Sequence, residues 1–159
     1  MSRGCWHLAN HPLNDGTCWY AASLNKTIMN QQMPIIIGSK ISSSSGFTIL
    51  NDPQVICHNS TLILVPNPTI MDPYALLGIL NSSIFWRFVR LTTPSMGCGR
   101  QVLRLTNIKQ FPIPWPMTDE QKTICNDISQ IARNAMNASS PYITQEIDIM
   151  VNGLYQLEK

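Results

Sequence analysis

The spacing of apolar positions changes twice along the 159-residue chain and divides it into three stretches. Residues 1–16 show no periodicity and hold Gly4, Pro12 and Gly16, so an irregular segment is expected there. From residue 17 onward, short apolar runs alternate with turn residues. Thr17-Cys18-Trp19-Tyr20-Ala21 is rich in strand formers. Pro34-Ile35-Ile36-Ile37-Gly38 is an apolar run bounded by proline and glycine, the pattern of a buried strand. Residues 42–46 read as a serine-rich loop. Phe47-Thr48-Ile49-Leu50 and Val55-Ile56-Cys57 read as strands on either side of the turn sequence Asn51-Asp52-Pro53. Thr61-Leu62-Ile63-Leu64-Val65 is a further strand, ended by Pro66.

Helical spacing begins at Asp72-Pro73, an N-cap followed by a first-turn proline. Leu77, Leu80, Ile84 and Phe88 then recur at steps of three and four, predicting one helix that runs to Thr92-Thr93-Pro94, where proline stops it. After a glycine-bearing loop at 95–99, residues 100–105 alternate like a strand, and residues 106–110 fit a short helical turn. Phe111-Pro112-Ile113-Pro114-Trp115-Pro116 is held extended by its prolines. Thr118-Asp119-Glu120-Gln121 is a capping box. It opens a helix carrying Ile124, Ile128, Ile131 and Ala135. Ile143, Ile147, Val151 and Leu154 mark a second helix beyond Ser139-Ser140-Pro141. Two such helices predict an antiparallel hairpin. The expected fold is α+β: a small twisted sheet, mostly antiparallel or mixed, packed on one long helix and followed by a C-terminal antiparallel helical hairpin. The expected boundaries are an irregular segment at 1–16, an α/β domain at 17–116 and the hairpin at 117–159.

Composition narrows the function. Charged residues are only 13% of the chain, about half the usual share, and the net charge is +2. A freestanding non-specific DNA binder is far more basic than this. The five cysteines are scattered and odd in number, which fits a reducing cytosol better than a disulfide scaffold. No signal-peptide pattern and no apolar run of roughly 20 residues is visible, so a cytoplasmic location without a membrane partner is expected.

Catalytic signatures are missing. There is no glycine-rich cofactor loop, no polar-Pro-Pro-aromatic loop for a flipped adenine, no acid-x-Lys of a nuclease and no GxSxG. The chain alone is therefore not expected to be an enzyme. Cys5, His7, His11 and Cys18 supply the atom types of a zinc site, but in no familiar ligand spacing. Unrelated loop and strand residues account for them better, and no metal site is assigned.

The cations are arranged more suggestively. Five of the eleven, Arg87, Arg90, Arg100, Arg104 and Lys109, fall within one stretch that contains no acid. Arginine suits bidentate contact with guanine or phosphate, and Gln101 is of the type that pairs with adenine. On a strand, Arg100, Val102 and Arg104 share one face while Gln101 and Leu103 share the other. A solvated strand edge with ordinary surface arginines explains the pattern equally well. Lys40 with Ser42, Ser43 and Ser44 forms a second polar loop able to meet base edges, or a plain connection. Trp86 and Trp115 are of the right type to stack on bases, but core packing explains both better.

In this order, the segments resemble the C-terminal specificity (target-recognition) domain of TaqI-like adenine methyltransferases of type II and IIG restriction-modification systems. The residues that carry the resemblance are Pro34-Ile35-Ile36-Ile37, Phe47 with Asn51-Asp52, Thr61-Leu62-Ile63-Leu64-Val65, and above all Tyr74-Ala75-Leu76-Leu77-Gly78-Ile79-Leu80-Asn81-Ser82-Ser83. Gly97-Cys98-Gly99-Arg100, the Phe111-Pro112-Ile113-Pro114 exit, Asp119-Glu120-Gln121-Lys122 and Glu146-Ile147-Asp148 complete it. The resemblance implies a phage-defence module that reads duplex DNA; the cation cluster and the serine loop then supply the DNA-binding candidates Arg100, Arg104, Gln101, Arg87, Arg90, Lys109, Lys40, Ser42, Ser43 and Ser44. It further implies a methyltransferase catalytic domain, in the same or a partner chain, which flips an adenine and methylates it with S-adenosylmethionine. This chain itself is expected to hold no cofactor. The two terminal helices would dock on or orient that partner. The rival expectation is a protein-interaction module, assembled through the helical hairpin and without DNA contact.

Overall fold

The structure, a computed structural model, describes residues 34–44, 46–52, 57, 60–114, 118–137 and 142–155. The expected strand at 17–21, the Cys5, His7, His11 and Cys18 group, Val55-Ile56 and Trp115-Pro116 lie outside the described residues.

Two small antiparallel sheets and a set of helices give the mixed α+β architecture expected. The first sheet has the order β3–β1–β4, with β1 (Ile35–Ser39), β3 (Thr48–Leu50) and β4 (Thr61–Leu64). Strand β1 is central, pairing Ile36 with Ile49 on one side and with Leu64 on the other. Its successive Ile35 and Ile36 are both fully buried. Side chains on neighbouring strand positions point to opposite faces, so this end of the sheet is covered on both sides, which is why the run is continuously apolar. The second sheet is a two-stranded ribbon of β2 (Ile41–Ser42) and β5 (Gln101–Val102).

The single helix expected from residue 72 to 92 divides in two at Ser82. Helix α1 covers Pro73–Asn81 and α2 covers Ser83–Thr92. Ser82 is buried and extended, with φ −73° and ψ 158°. Its hydroxyl donates to the Ile79 carbonyl and accepts from the Phe85 amide. A serine side chain that bonds the backbone on both sides satisfies the end of one helix and the start of the next, so the break costs few unpaired groups. The apolar spacing runs on through the break, so periodicity alone did not reveal it. The amide of Ser83 donates to Asp148, on the last helix, at 2.7 Å.

Asp72 caps α1 as expected, accepting from the amides of Tyr74 and Ala75. It also accepts from Ser129 and pairs with Arg133, both on helix α4 (Asp119–Asn137). The Arg133 guanidinium lies 3.8 Å over the Tyr74 ring. Helix α4 opens with the reciprocal capping box, Thr118 and Gln121 each donating a backbone amide to the other's side chain. It packs against α5 (Tyr142–Leu154) and along α1. Helices α4 and α5 are joined by only four residues and packed together, so they run antiparallel. The hairpin is not an appendage: Cys125, Ile128, Ile147, Val151 and Leu154 belong to the same buried cluster as Ile36, Phe47, Phe85 and Phe111. Gly78 is where α1 meets α4 most closely, for a Cβ built there would stand 2.4 Å from Cγ2 of Ile128.

Asn81 links the helical layer to the first sheet. Its side-chain carbonyl accepts from the Phe47 amide and its amide donates to the Phe47 carbonyl, both at 2.9 Å. The side chain thus behaves as a strand partner for Phe47. The Phe47 ring in turn lies against Gly38, where a Cβ would sit 2.7 Å from two ring carbons.

Candidate nucleic-acid interface

Helix α2 ends at Thr92, and the chain turns at once into a tight hairpin spanning 94–102. The Val102 amide donates to the Pro94 carbonyl, Ser95 bridges Gln101, and the Met96 amide donates to the Arg100 carbonyl. The Arg100 amide then donates to Gly97 at 3.0 Å, closing a four-residue turn. Its central residues, Cys98 and Gly99, both have positive φ, +50° and +71°. Two positive φ values at the centre are the mark of a type I′ turn, whose twist suits a hairpin. Cβ atoms at Gly97 or Gly99 would meet nothing within 4 Å, so the turn stands open to solvent.

The return arm of this hairpin pairs with the serine loop. Ile41 faces Val102 and Ser42 faces Gln101, and the Leu103 amide donates to the Lys40 carbonyl. The two candidate segments, more than fifty residues apart in sequence, therefore form one ribbon. Within the serine loop, Ser42 donates to the Ser44 carbonyl and accepts from its amide, a local turn that leaves Ser43 and Ser44 exposed. Lys40 is half-buried.

Each candidate has a definite position. Arg100 is exposed at the end of the turn, and Arg104 is exposed at the N-cap of the short helix α3 (Leu105–Ile108). The strand expected over 100–105 is only two residues long, because residues 105–108 turn helical. The expected alternation survives: Gln101 and Leu103 are buried while Arg100 and Arg104 are exposed. Gln101 is accordingly 8% exposed, its side-chain oxygen 3.3 Å from the Thr93 hydroxyl, which itself donates to the Val89 carbonyl at 2.8 Å. In this position its side chain lies between the ribbon and the end of α2. Thr93 was expected only to mark the end of the helix, not to contact Gln101. Arg87 and Arg90 are exposed on α2, with Arg90 5.8 Å from the centre of the Trp86 ring. Trp86 is buried in the core, as expected, and its indole N–H has no partner among the described residues. Lys109 is exposed just past α3, which the Asn107 side chain ties to the Thr92 carbonyl at the end of α2.

The electrostatics of this end are one-sided. No aspartate or glutamate occurs from residue 73 to 118. Among the described residues, the ion pairs are Lys122 with Asp119 and Arg133 with Asp72, so Arg87, Arg90, Arg100, Arg104 and Lys109 carry uncompensated charge. A cavity of about 260 Å³ lies elsewhere, between the β4–α1 connection and Ile113-Pro114. Its walls are Val65, Ile70, Met71 and Leu76, with Asn67 as the polar side chain, and it shares no residue with the ribbon. Among the described residues no cluster of His, Cys, Asp or Glu could hold a metal ion, and no helix is long and apolar enough to cross a membrane.

The model of the type I restriction modification DNA specificity domain matches residues 8–147. The chain belongs to that family. No curated protein matches it. The family is defined by DNA specificity in a restriction-modification system, the function class the sequence led us to expect. Membership corrects the level of the expectation: the family shown is the type I specificity domain, while the narrower likeness to TaqI-like type II and IIG modules is carried by the quoted motifs alone. For a DNA specificity domain, an open hairpin and a set of unpaired arginines on exposed elements is the chemistry a polyanion requires.

Proposed function

We propose that this domain recognises a specific duplex DNA sequence with the β2–β5 ribbon and presents that DNA to a separate adenine methyltransferase domain. The methyl donor there would be S-adenosylmethionine, bound by the partner and not by this chain. The observation that carries the reading is the pairing of Ser42 with Gln101, which joins the serine loop and the arginine hairpin into one unit. Arg100 and Arg104 contact base edges or phosphates beside it, and Arg87, Arg90, Lys109 and Lys40 add phosphate contacts that fix the register. The narrower kinship with TaqI-like and type IIG enzymes rests on the Leu80-Asn81-Ser82 and Phe111-Pro112-Ile113-Pro114 motifs, and we retain it as the source of the adenine assignment.

The test is a salt titration of DNA binding. Each lost phosphate contact lowers the slope of log K against log salt by about 0.9. The double variant Arg100→Ala, Arg104→Ala is expected to weaken binding at least tenfold and to flatten the slope by about one to two. Both side chains are exposed, so its thermal midpoint should match that of the unsubstituted chain. Unchanged affinity and slope in a folded double variant would remove both arginines from the interface.

A further inference from the structure

We propose that Met96 is a specificity residue that contacts the 5-methyl group of a thymine in the major groove, next to the pair read by Arg100. The inference rests on the DNA-recognition reading above and assigns one part of it to a side chain the sequence did not single out.

The register of the ribbon leads to Met96. Gln101 points inward, paired with Ser42 on one side and Ser95 on the other. Residues facing each other across an antiparallel pair share a face, and neighbours along a strand alternate. The rows on either side of Gln101 therefore point outward. One holds Ile41 opposite Val102. The other holds Arg100 with Met96, whose amide donates to the Arg100 carbonyl at 2.9 Å. Ile41 is 45% exposed and Met96 58% exposed, on the face that also carries Arg100. A single exposed apolar side chain means little. An apolar row flanking an unpaired arginine, on a ribbon open at its turn, is a different arrangement.

The occupant follows from charge and shape. No carboxylate lies between residues 73 and 118, so the face suits a polyanion. The major groove admits a two-stranded ribbon and offers two features to such a row: guanine acceptors for arginine and the thymine methyl for an apolar side chain. Met96 follows the isolated Ser95 bridge and stands next to the open Gly97 turn, where it precedes the rest of the ribbon into a groove. Its unbranched, polarisable side chain adapts to a methyl surface at little steric cost.

The experiment selects binding sequences for the full chain from a random duplex pool, then replaces each thymidine of the selected duplex by deoxyuridine, which removes only the 5-methyl group. The expected result is a loss of about fourfold at one thymine, the value of one desolvated methyl. Met96→Gln should bind the thymidine and deoxyuridine duplexes equally, and Met96→Leu, which stays apolar, should keep the preference. Equal deoxyuridine penalties in the unsubstituted chain and in Met96→Gln, or no penalty at any thymine, would overturn the assignment while leaving DNA recognition intact. Failure of the unsubstituted chain to select any sequence would overturn both.

Discussion

Around Gly78 there is no room for one added carbon, since a Cβ would approach Ile128 to 2.4 Å, whereas around Gly97 and Gly99 a Cβ would touch nothing within 4 Å. The two places differ in every other respect that matters. The helical side is a closed core in which Phe85 sits fully buried, edge-on to both Phe47 and Phe111 at 5.7 and 5.0 Å. The ion pair between Asp72, the cap of α1, and Arg133 on α4 is embedded in capping bonds. The ribbon side has two-residue strands, a turn in left-handed backbone and arginines without carboxylates. A domain that must read different DNA sequences benefits from this division, because the ribbon can change without repacking the core.

The largest effect that would test the division is Phe85→Ala. Truncating a fully buried phenylalanine costs about 3–5 kcal/mol, and here it also removes two aromatic edge contacts. Denaturant unfolding should show that loss, while the DNA sequence selected at a temperature where the variant is still folded should be unchanged. A selected sequence that shifts with Phe85→Ala would show that core and ribbon are not separable.

How much of this was legible beforehand follows the same line. The strands at Pro34-Ile35-Ile36-Ile37 and Thr61–Leu64, the Asp72 cap, the Thr118 capping box and the helical hairpin were all readable, because each is written in local spacing or in a capping pair. The break at Ser82 was hidden because a buried serine replaced backbone partners without disturbing the apolar period. The pairing of Ser42 with Gln101 was hidden for another reason: two-residue strands leave almost no alternation to detect, and non-local register is not encoded in neighbouring residues. The inward face of Gln101 was in fact contained in the expected alternation with Leu103. Its polar chemistry drew attention outward, while Thr93, eight residues earlier, held it in.

A second effect, smaller and dependent on pH, tests the helical side alone. Burial opposes the charge on Asp72, but the Ser129 hydroxyl, the Tyr74 amide, the Arg133 guanidinium and the Ala75 amide together outweigh it and hold the carboxyl below its ordinary 3.8. A carboxyl with a lowered value in the fold stabilises the protein above the unfolded value and loses that contribution as pH falls through the folded one. Stability should therefore drop below about pH 4 in the unsubstituted chain. Asp72→Ala should cost about 1–2 kcal/mol near neutrality, mostly from the lost cap, since the Arg133 pair is partly exposed and screened. Asp72→Asn keeps a capping oxygen, so it should cost less and should abolish this part of the acid sensitivity. Urea midpoints of the three chains between about pH 5 and pH 2 check both statements, and an acid profile unchanged by Asp72→Asn would assign the sensitivity to other carboxylates.

The smallest effect belongs to the ribbon. Cys98 adopts φ +50° without being glycine, at the first central position of the type I′ turn. Left-handed backbone disfavours a side chain with an ordinary Cβ, and asparagine tolerates it best because its amide bonds locally. Cys98→Asn sets Asn before Gly99, the dipeptide that type I′ hairpins favour most. The gain should be up to about 1 kcal/mol and confined to the hairpin. Slower amide exchange at Met96 and Arg100, whose amides close the turn, is the sensitive readout, with the global unfolding midpoint nearly unmoved. A stiffer turn that presents the same arginines should retain the selected DNA sequence and release it more slowly, since less ordering remains for binding to complete. Faster exchange at those two amides would mean that the turn is not the type I′ form on which the outward row of Arg100 and Met96 depends.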